Sequence, residues 1–305
     1  MRFRTFCLVL VALALSGCGS NPSEPGPPPD ARLDQANRVG NQALSIDMPR
    51  MAARQYKMAL QRAYERDDPA AIADVSYNLA LALMRAGDAN SALATVRDAR
   101  LDLERRRATV PPELFLVQAA AAYRIGDLSG ADTAAQETIA HAPQDQDAKA
   151  RAWFIRGLVA AEHSDATGLA QAIAALGATK QSDLQADRDE LLGRAALLTN
   201  QPAEALGLFE RSATSRQQAL DYRGMVRALS LAGDAALRAG RNSEAAVFLL
   251  RGGRSALLQG DSTTGLTLLK RAEELARETL QSTIVDEVGR LRKATAQREN
   301  ASGRT

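Results

Sequence analysis

Small residues recur along this 305-residue chain at a nearly fixed interval. Gly40, Ala80, Ala119, Gly157, Gly193 and Gly233 stand 40, 39, 38, 36 and 40 positions apart. In three copies a glycine turn follows seven positions later, at Ala86-Gly87-Asp88, Ile125-Gly126-Asp127 and Ala239-Gly240-Arg241. A period of this length marks a solenoid, whose units bury their apolar faces only by stacking on their neighbours. The units read as helix pairs, because no alternating apolar and polar run of strand length is bounded by turns. Helix starts are marked by Asp68-Pro69, Pro111-Pro112-Glu113 and Gln201-Pro202, each with proline at or near a first turn.

Glycine inside a helix costs about 1 kcal/mol relative to alanine. Its recurrence at positions 40, 157, 193 and 233 therefore implies a second helix packed too close for a side chain. Glycine at the turns serves a different need, a positive φ that closes one helix and starts the next. The spacing predicts an all-α solenoid of about six helix pairs over residues 32–257. Two C-terminal capping helices are expected within 258–298, the second with Ile284, Val285, Val288 and Leu291 on one apolar stripe. Residues 299–305 are expected to fray.

The pattern resembles the tetratricopeptide repeat. One copy matches at Leu79, Ala80, Leu83, Gly87, Ala92, Val96 and Ala99. Another matches at Phe115, Ala119, Gly126, Ala131, Ala135 and Pro143. Weaker copies centre on Gly40, Gly157, Gly193 and Gly233, and the pair around Gly157 has an irregular second helix. The period exceeds the 34 residues of that family, which implies helices about a turn longer. The resemblance implies a concave groove lined by first-helix residues near each small residue. Carried over position by position, these are Asn37, Asn41, Tyr77, Leu81, Arg85, Leu116, Arg124, Phe154, Arg194 and Arg238. Tyrosine, phenylalanine and arginine are types that dominate interface energies, and arginine grips carboxylates bidentately. The lysines of the chaperone-binding members of the family are absent here. The alternative is that Tyr77 and Phe154 pack between repeats while the arginines are merely solvated.

The N-terminus carries an address. Met1-Arg-Phe-Arg is basic, Thr5 to Leu15 is apolar, and Leu15-Ser16-Gly17-Cys18 follows. This reads as a secretory signal over residues 1–17, too short to span a bilayer. The four-residue ending resembles the lipobox of bacterial lipoproteins. That resemblance implies cleavage before Cys18 and a covalent diacylglycerol and N-acyl lipid on it. Gly19, in place of Asp, implies the outer membrane, facing the periplasm. Residues 18–31 form a proline-rich spacer whose triplet Pro27-Pro28-Pro29 favours an extended form.

Charge narrows the function classes. The chain has 38 basic and 36 acidic side chains, and loss of Arg2 and Arg4 with the signal leaves 36 of each. No basic excess speaks for nucleic acid. Two histidines and two cysteines give little for a metal site or thiol catalyst, and His141 and His163 read as isolated surface residues. Asp187-Arg188-Asp189-Glu190 and Glu273-Glu274 read as solvated helix faces, and Arg105-Arg106-Arg107 as the basic close of a helix. No catalytic residue and no cofactor other than the lipid is expected.

The expected function is an outer-membrane-anchored scaffold for envelope, pilus or secretion assembly, with one or more envelope proteins as partners. Alternatives are an adaptor or regulator of peptidoglycan hydrolases, a helical cell-wall enzyme, or a scaffold of its own homo-oligomer.

Overall fold

The computed structural model describes residues 28–177 and 182–302. Those residues form fourteen helices and, among the described residues, no strand. The helices pair in chain order. The first pairs are α1 (Ala31–Ser45) with α2 (Pro49–Glu65), and α3 (Pro69–Arg85) with α4 (Ala89–Arg105). Next come α5 (Pro112–Arg124) with α6 (Leu128–His141), and α7 (Gln146–Glu162) with α8 (Ala166–Leu176). The last three pairs are α9 (Ser182–Leu198) with α10 (Pro202–Gln218), α11 (Tyr222–Arg238) with α12 (Asn242–Leu258), and α13 (Ser262–Glu278) with α14 (Ser282–Ser302).

One three-residue joint explains most of this regularity. After α3, Ala86 keeps a helical backbone, Gly87 turns to φ 85°, and Asp88 caps α4 by accepting from the Ser91 N–H. The Asp88 N–H donates back to the Leu83 carbonyl at 2.9 Å, which satisfies a helix-end acceptor. The same left-handed residue recurs at Asp47, Gly126, Ser164, Asn200 and Gly240, in each case seven positions beyond the small residue of its helix. The N-capping side chain is an aspartate at Asp30, Asp68, Asp88, Asp127, Asp145, Asp165, Asp221 and Asp261. Glycine at the turn and aspartate at the cap thus divide the two tasks of one joint.

Leu220 does the turn's work without a glycine. Its φ is 59° and it is 69% exposed, so its side chain gains little from burial. A left-handed backbone costs an L-residue about 1–2 kcal/mol. Part of that is offset because glycine loses more freedom on folding. Leu220→Gly is expected to raise the unfolding free energy by about 0.5–1 kcal/mol, measured by urea denaturation.

The small residues sit where helices cross. A Cβ on Gly40 would lie 2.6 Å from the Tyr56 ring, and one on Gly193 would lie 2.6 Å from Phe209. A Cβ on Gly233 would meet Leu249 at 2.8 Å, while one on Gly157 would meet Leu191 at 2.4 Å. Where the slot holds alanine instead, at Ala80 and Ala119, the residues sixteen positions on are the smaller Val96 and Ala135. All four of these are fully buried. At Gly40, Gly193, Gly233, Ala80 and Ala119 size is therefore traded across the pair, glycine with a large partner and alanine with a small one, whereas Gly157 is covered by Leu191 from α9 of the next pair.

The expected capping helices continue the array as a seventh pair, α13 and α14, joined by a left-handed turn at Leu280. Seven positions before it stands Glu273, so the small-residue rule ends with the sixth pair. Leu268, Leu269, Ile284 and Val288 close the end of the core. Helix α14 runs to Ser302, so the expected fraying does not begin at residue 299, and residues 303–305 lie outside the described ones. Helix α8 is the short, irregular member, with eleven residues ending at Gly177.

Cys18, the signal segment and the spacer through residue 27 also lie outside the described residues. The end of the spacer is bound. Asp30 caps α1 and pairs with Arg62 at 2.7 Å and Arg66 at 3.2 Å. The Arg62 hydrogen bond and two backbone N–H groups hold its carboxyl well below the usual range.

Candidate functional site

The odd-numbered helices form the inner wall. In a curved array the inner elements crowd, and α3 touches α5, α5 touches α7, and α7 touches α9. The array coils far enough for the start of α11 to meet the end of α3. There Arg223 donates to the Arg85 carbonyl at 2.6 Å, and its guanidinium lies 3.8 Å from the Asp47 carboxylate. Arg124, at the end of α5, donates to the Met84 carbonyl at 2.9 Å. Both arginines thus close the C-terminal end of α3, where unpaired carbonyls favour positive charge.

Arg124 is solvent-exposed yet walled in by protein, as expected for a side chain inside a channel. That surrounding depresses its basicity, and Arg227 and Arg223 add repulsion, against weaker attraction from Asp221 and Asp261. Helices distant in sequence therefore bring three arginines into one another's field.

Behind them lies a buried ionic cluster on α9, α10 and α11. Glu190 is 0% exposed and accepts from Arg227 Nε at 3.0 Å, Arg216 Nη2 at 2.9 Å and Arg194 Nη2 at 3.4 Å. Arg216 also donates to Asp187 at 2.7 Å and Asp221 at 2.9 Å. Ser212 Oγ, which donates to the Ala186 carbonyl, accepts from Arg216 Nε at 3.4 Å. Phe154 contributes its ring, with the Arg216 and Arg227 guanidiniums 5.7 and 5.6 Å from the centroid.

Burial alone would raise Glu190, but Arg227 and Arg216 outweigh it and hold it at about 2. Burial wins at Asp187, despite Arg216, and pushes it up to about 6. A carboxyl whose folded value lies above its unfolded one, about 3.9, favours folding more as pH falls. Its charged form therefore costs on the order of 2–3 kcal/mol above pH 6, and the cost vanishes towards pH 4. Asp187→Asn keeps an acceptor for Arg216 without that charge. It should be more stable than the parent at pH 7, with the difference closing near pH 4, as read from denaturation curves at both pH values.

This cluster corrects one expectation. Asp187, Asp189 and Glu190 are buried, not a solvated face, and Asp189 pairs with Arg211 at 3.1 Å. The signal was available in register: Glu190 precedes Gly193 by three, as Asn37, Tyr77, Leu116 and Phe154 precede their own small residues. Glu273 is also half-buried, paired with Arg292 at 2.7 Å and with Arg277, whereas Glu274 is exposed. Arg106 of the basic triplet is held by Asp102 at 2.6 Å and by Asp67. His163 is exposed, and His141 stacks on Phe115 with centroids 4.7 Å apart.

The groove residues read from sequence do not form one site. Phe154 and Arg194 join the ionic cluster, and Arg194 also donates to Glu162 at 3.2 Å. Arg85 and Arg124 join the contact between α3, α5 and α11. Tyr77 lines a cavity of about 750 Å³ between α3 and the start of α5, with Asp74 and Glu113 at its rim. Burial raises both the Tyr77 hydroxyl and the Asp74 carboxyl. Leu81 and Leu116 are half-buried against the core. Asn37 is half-buried, and Asn41 accepts from the Tyr56 hydroxyl at 2.6 Å. Arg238 is exposed at the far end of α11, roughly 22 Å along the axis from Arg223. Among the described residues no group of three or more His, Cys, Asp or Glu is placed to hold a metal, and no helix is long and apolar enough to cross a membrane.

No protein-family model matches the chain, and no curated protein matches it in sequence. Solved structures match its fold. A tetratricopeptide repeat protein from Parabacteroides merdae is similar at 15% identity over 88% of this chain and 100% of its own, with a TM-score of 0.51. A Rap protein in complex with Competence and Sporulation Factor is similar at 13% identity over 90% of this chain and 92% of its own, with a TM-score of 0.55. At these identities the likeness is one of architecture, and it agrees with the joints and crossings above. The chain folds as a tetratricopeptide-repeat-like α-solenoid.

Proposed function

We propose that this protein is a lipid-anchored scaffold that takes an extended, carboxylate-bearing segment of another cell-envelope protein into its concave channel. The observation that carries the reading is the convergence of Arg124, Arg223 and Arg227 from α5 and α11. Arg124 and Arg223 donate to backbone carbonyls, and the Asp47 carboxylate offsets Arg223 only from 3.8 Å, so positive charge remains for an incoming anion. Phe154 and Tyr77 add half-buried aromatic surface along the same wall. The lipobox-like ending at Cys18 supports attachment to the outer membrane on its periplasmic side. No catalytic role enters this reading.

The test is capture of native complexes from detergent-solubilised envelopes with the parent and with Arg124→Gln/Arg223→Gln. A second variant replaces Tyr77, Arg124 and Phe154 together. The reading requires that a partner held by the parent be depleted with both variants. An unchanged set of partners would remove the groove from the interaction. Mass spectrometry of the N-terminal fragment tests the anchor, and an unmodified Cys18 would eliminate it.

A further inference from the structure

We propose that the outer face of α2 is a docking surface for anionic phospholipid headgroups, which lays the first repeat against the membrane that the tether reaches. The proposal rests on the lipid-anchor reading of Cys18 and concerns a different face from the partner channel.

The exposed stripe of α2 holds Arg50, Arg54, Lys57, Met58, Gln61, Tyr64 and Glu65, and the Glu65 carboxylate is already paired with Arg62 at 2.9 Å. Three cations thus occupy the first two and a half turns, followed by an apolar and an amphipathic side chain. That combination suits an interface between water and lipid. Among the described residues no ion pair engages Arg50, Arg54 or Lys57. Asp88, which borders the same cavity, is occupied in capping α4 and feels Lys57 only as a lesser influence. The three cations border an open cavity of about 420 Å³ against Leu83 and the Gly87-Asp88 turn, with room for a phosphate headgroup.

The other outer helices provide an internal comparison. At the equivalent positions α4 has Asn90, Ala94 and Arg97, and Arg97 is paired with Asp127 at 3.0 Å. Helix α10 has Ala203, Gly207 and Glu210, and α6 has no charged residue there. A generic solvated face would spread its charge over all of these helices. At these positions α4, α6 and α10 lack the cationic set of α2, and α14 has Thr283, Glu287 and Arg290 there.

Position agrees with charge. The spacer ends against the last turn of α2, where Arg66 donates to the Pro28 carbonyl and pairs with Asp30. From Arg66, Lys57 lies about 14 Å and Arg50 about 24 Å along the helix axis. Ten residues separate Cys18 from Pro28, which limits the lipid attachment point to about 35 Å from that joint. An anchored chain therefore keeps this stripe within reach of the bilayer.

The test uses the chain from residue 18 with Cys18→Ser, which contains every described helix but no acyl group. Binding is measured by co-sedimentation with vesicles of phosphatidylglycerol and phosphatidylcholine, and with phosphatidylcholine alone. One basic residue near an anionic surface multiplies affinity about fivefold, so Arg50→Gln/Arg54→Gln/Lys57→Gln should weaken binding on the order of 100-fold. High salt should mimic that loss. The exposed pair Arg290→Gln/Lys293→Gln on α14 changes charge elsewhere and should bind as the parent does. The proposal is overturned if the triple variant binds like the parent, if the α14 variant loses as much, or if the parent ignores anionic vesicles. Because acylation is absent throughout, none of these outcomes depends on whether Cys18 is modified, and an unmodified Cys18 in the native protein leaves the vesicle result standing.

Discussion

Glu190→Gln is expected to lower the unfolding free energy by about 3–5 kcal/mol. The carboxylate is fully buried and receives hydrogen bonds from Arg194, Arg216 and Arg227, which come from three helices. Arg216 keeps Asp187 and Asp221 in the variant. Arg227 loses its ion pair with Glu190, and its guanidinium, on a side chain 37% exposed, is left beside Phe154 without that counter-charge. Breaking one side of a buried pair is costly, whereas replacing both sides with apolar groups is often neutral. Glu190→Leu/Arg227→Met should therefore recover most of the loss, and the double-mutant cycle measures the coupling. Equal destabilisation by the single and double variants would mean that the ionic cluster does not hold these helices together.

Phe209→Ala is expected to cost about 3–5 kcal/mol, because a fully buried ring is removed from a crossing built around it. The reciprocal change reverses sign with context. In the parent, Gly193→Ala forces a Cβ to within 2.6 Å of that ring and should cost about 1–2 kcal/mol after its gain in helix propensity. With Phe209→Ala already present the clash is gone, and Gly193→Ala should stabilise by up to about 1 kcal/mol. Calorimetry of the four proteins reads both numbers. A Gly193→Ala effect that ignores residue 209 would refute the traded-size account of the crossings.

These effects follow from features that differ in how plainly a sequence displays them. The period, the turns at Gly87, Gly126 and Gly240, and the small slots are local chemistry repeated in phase, so they were legible residue by residue. Left-handed turns at Ser164 and Leu220 are harder to see, because stacking imposes the conformation on residue types that rarely adopt it, whereas Asp47 and Asn200 are types that tolerate it. The ionic cluster is hidden in the sequence, because a run of Asp, Arg, Asp and Glu looks solvated until Arg216 and Arg227 arrive from other helices. The return of α11 to α3 was not visible at all. It depends on the summed rotation of five helix pairs, joining Arg223 to a backbone carbonyl 138 positions away.

The channel between α3, α5 and α11 is proposed to receive a partner. A photo-crosslinking residue introduced at position 77 or 154 in the acylated protein in living cells tests it, with position 133 on the outer face of α6 as reference. The predicted result is a cross-link to the same envelope protein from both channel positions, absent from position 133 and lost when Arg124→Gln/Arg223→Gln is added. Cross-links of equal yield from position 133, or channel cross-links that survive the loss of both arginines, would contradict it.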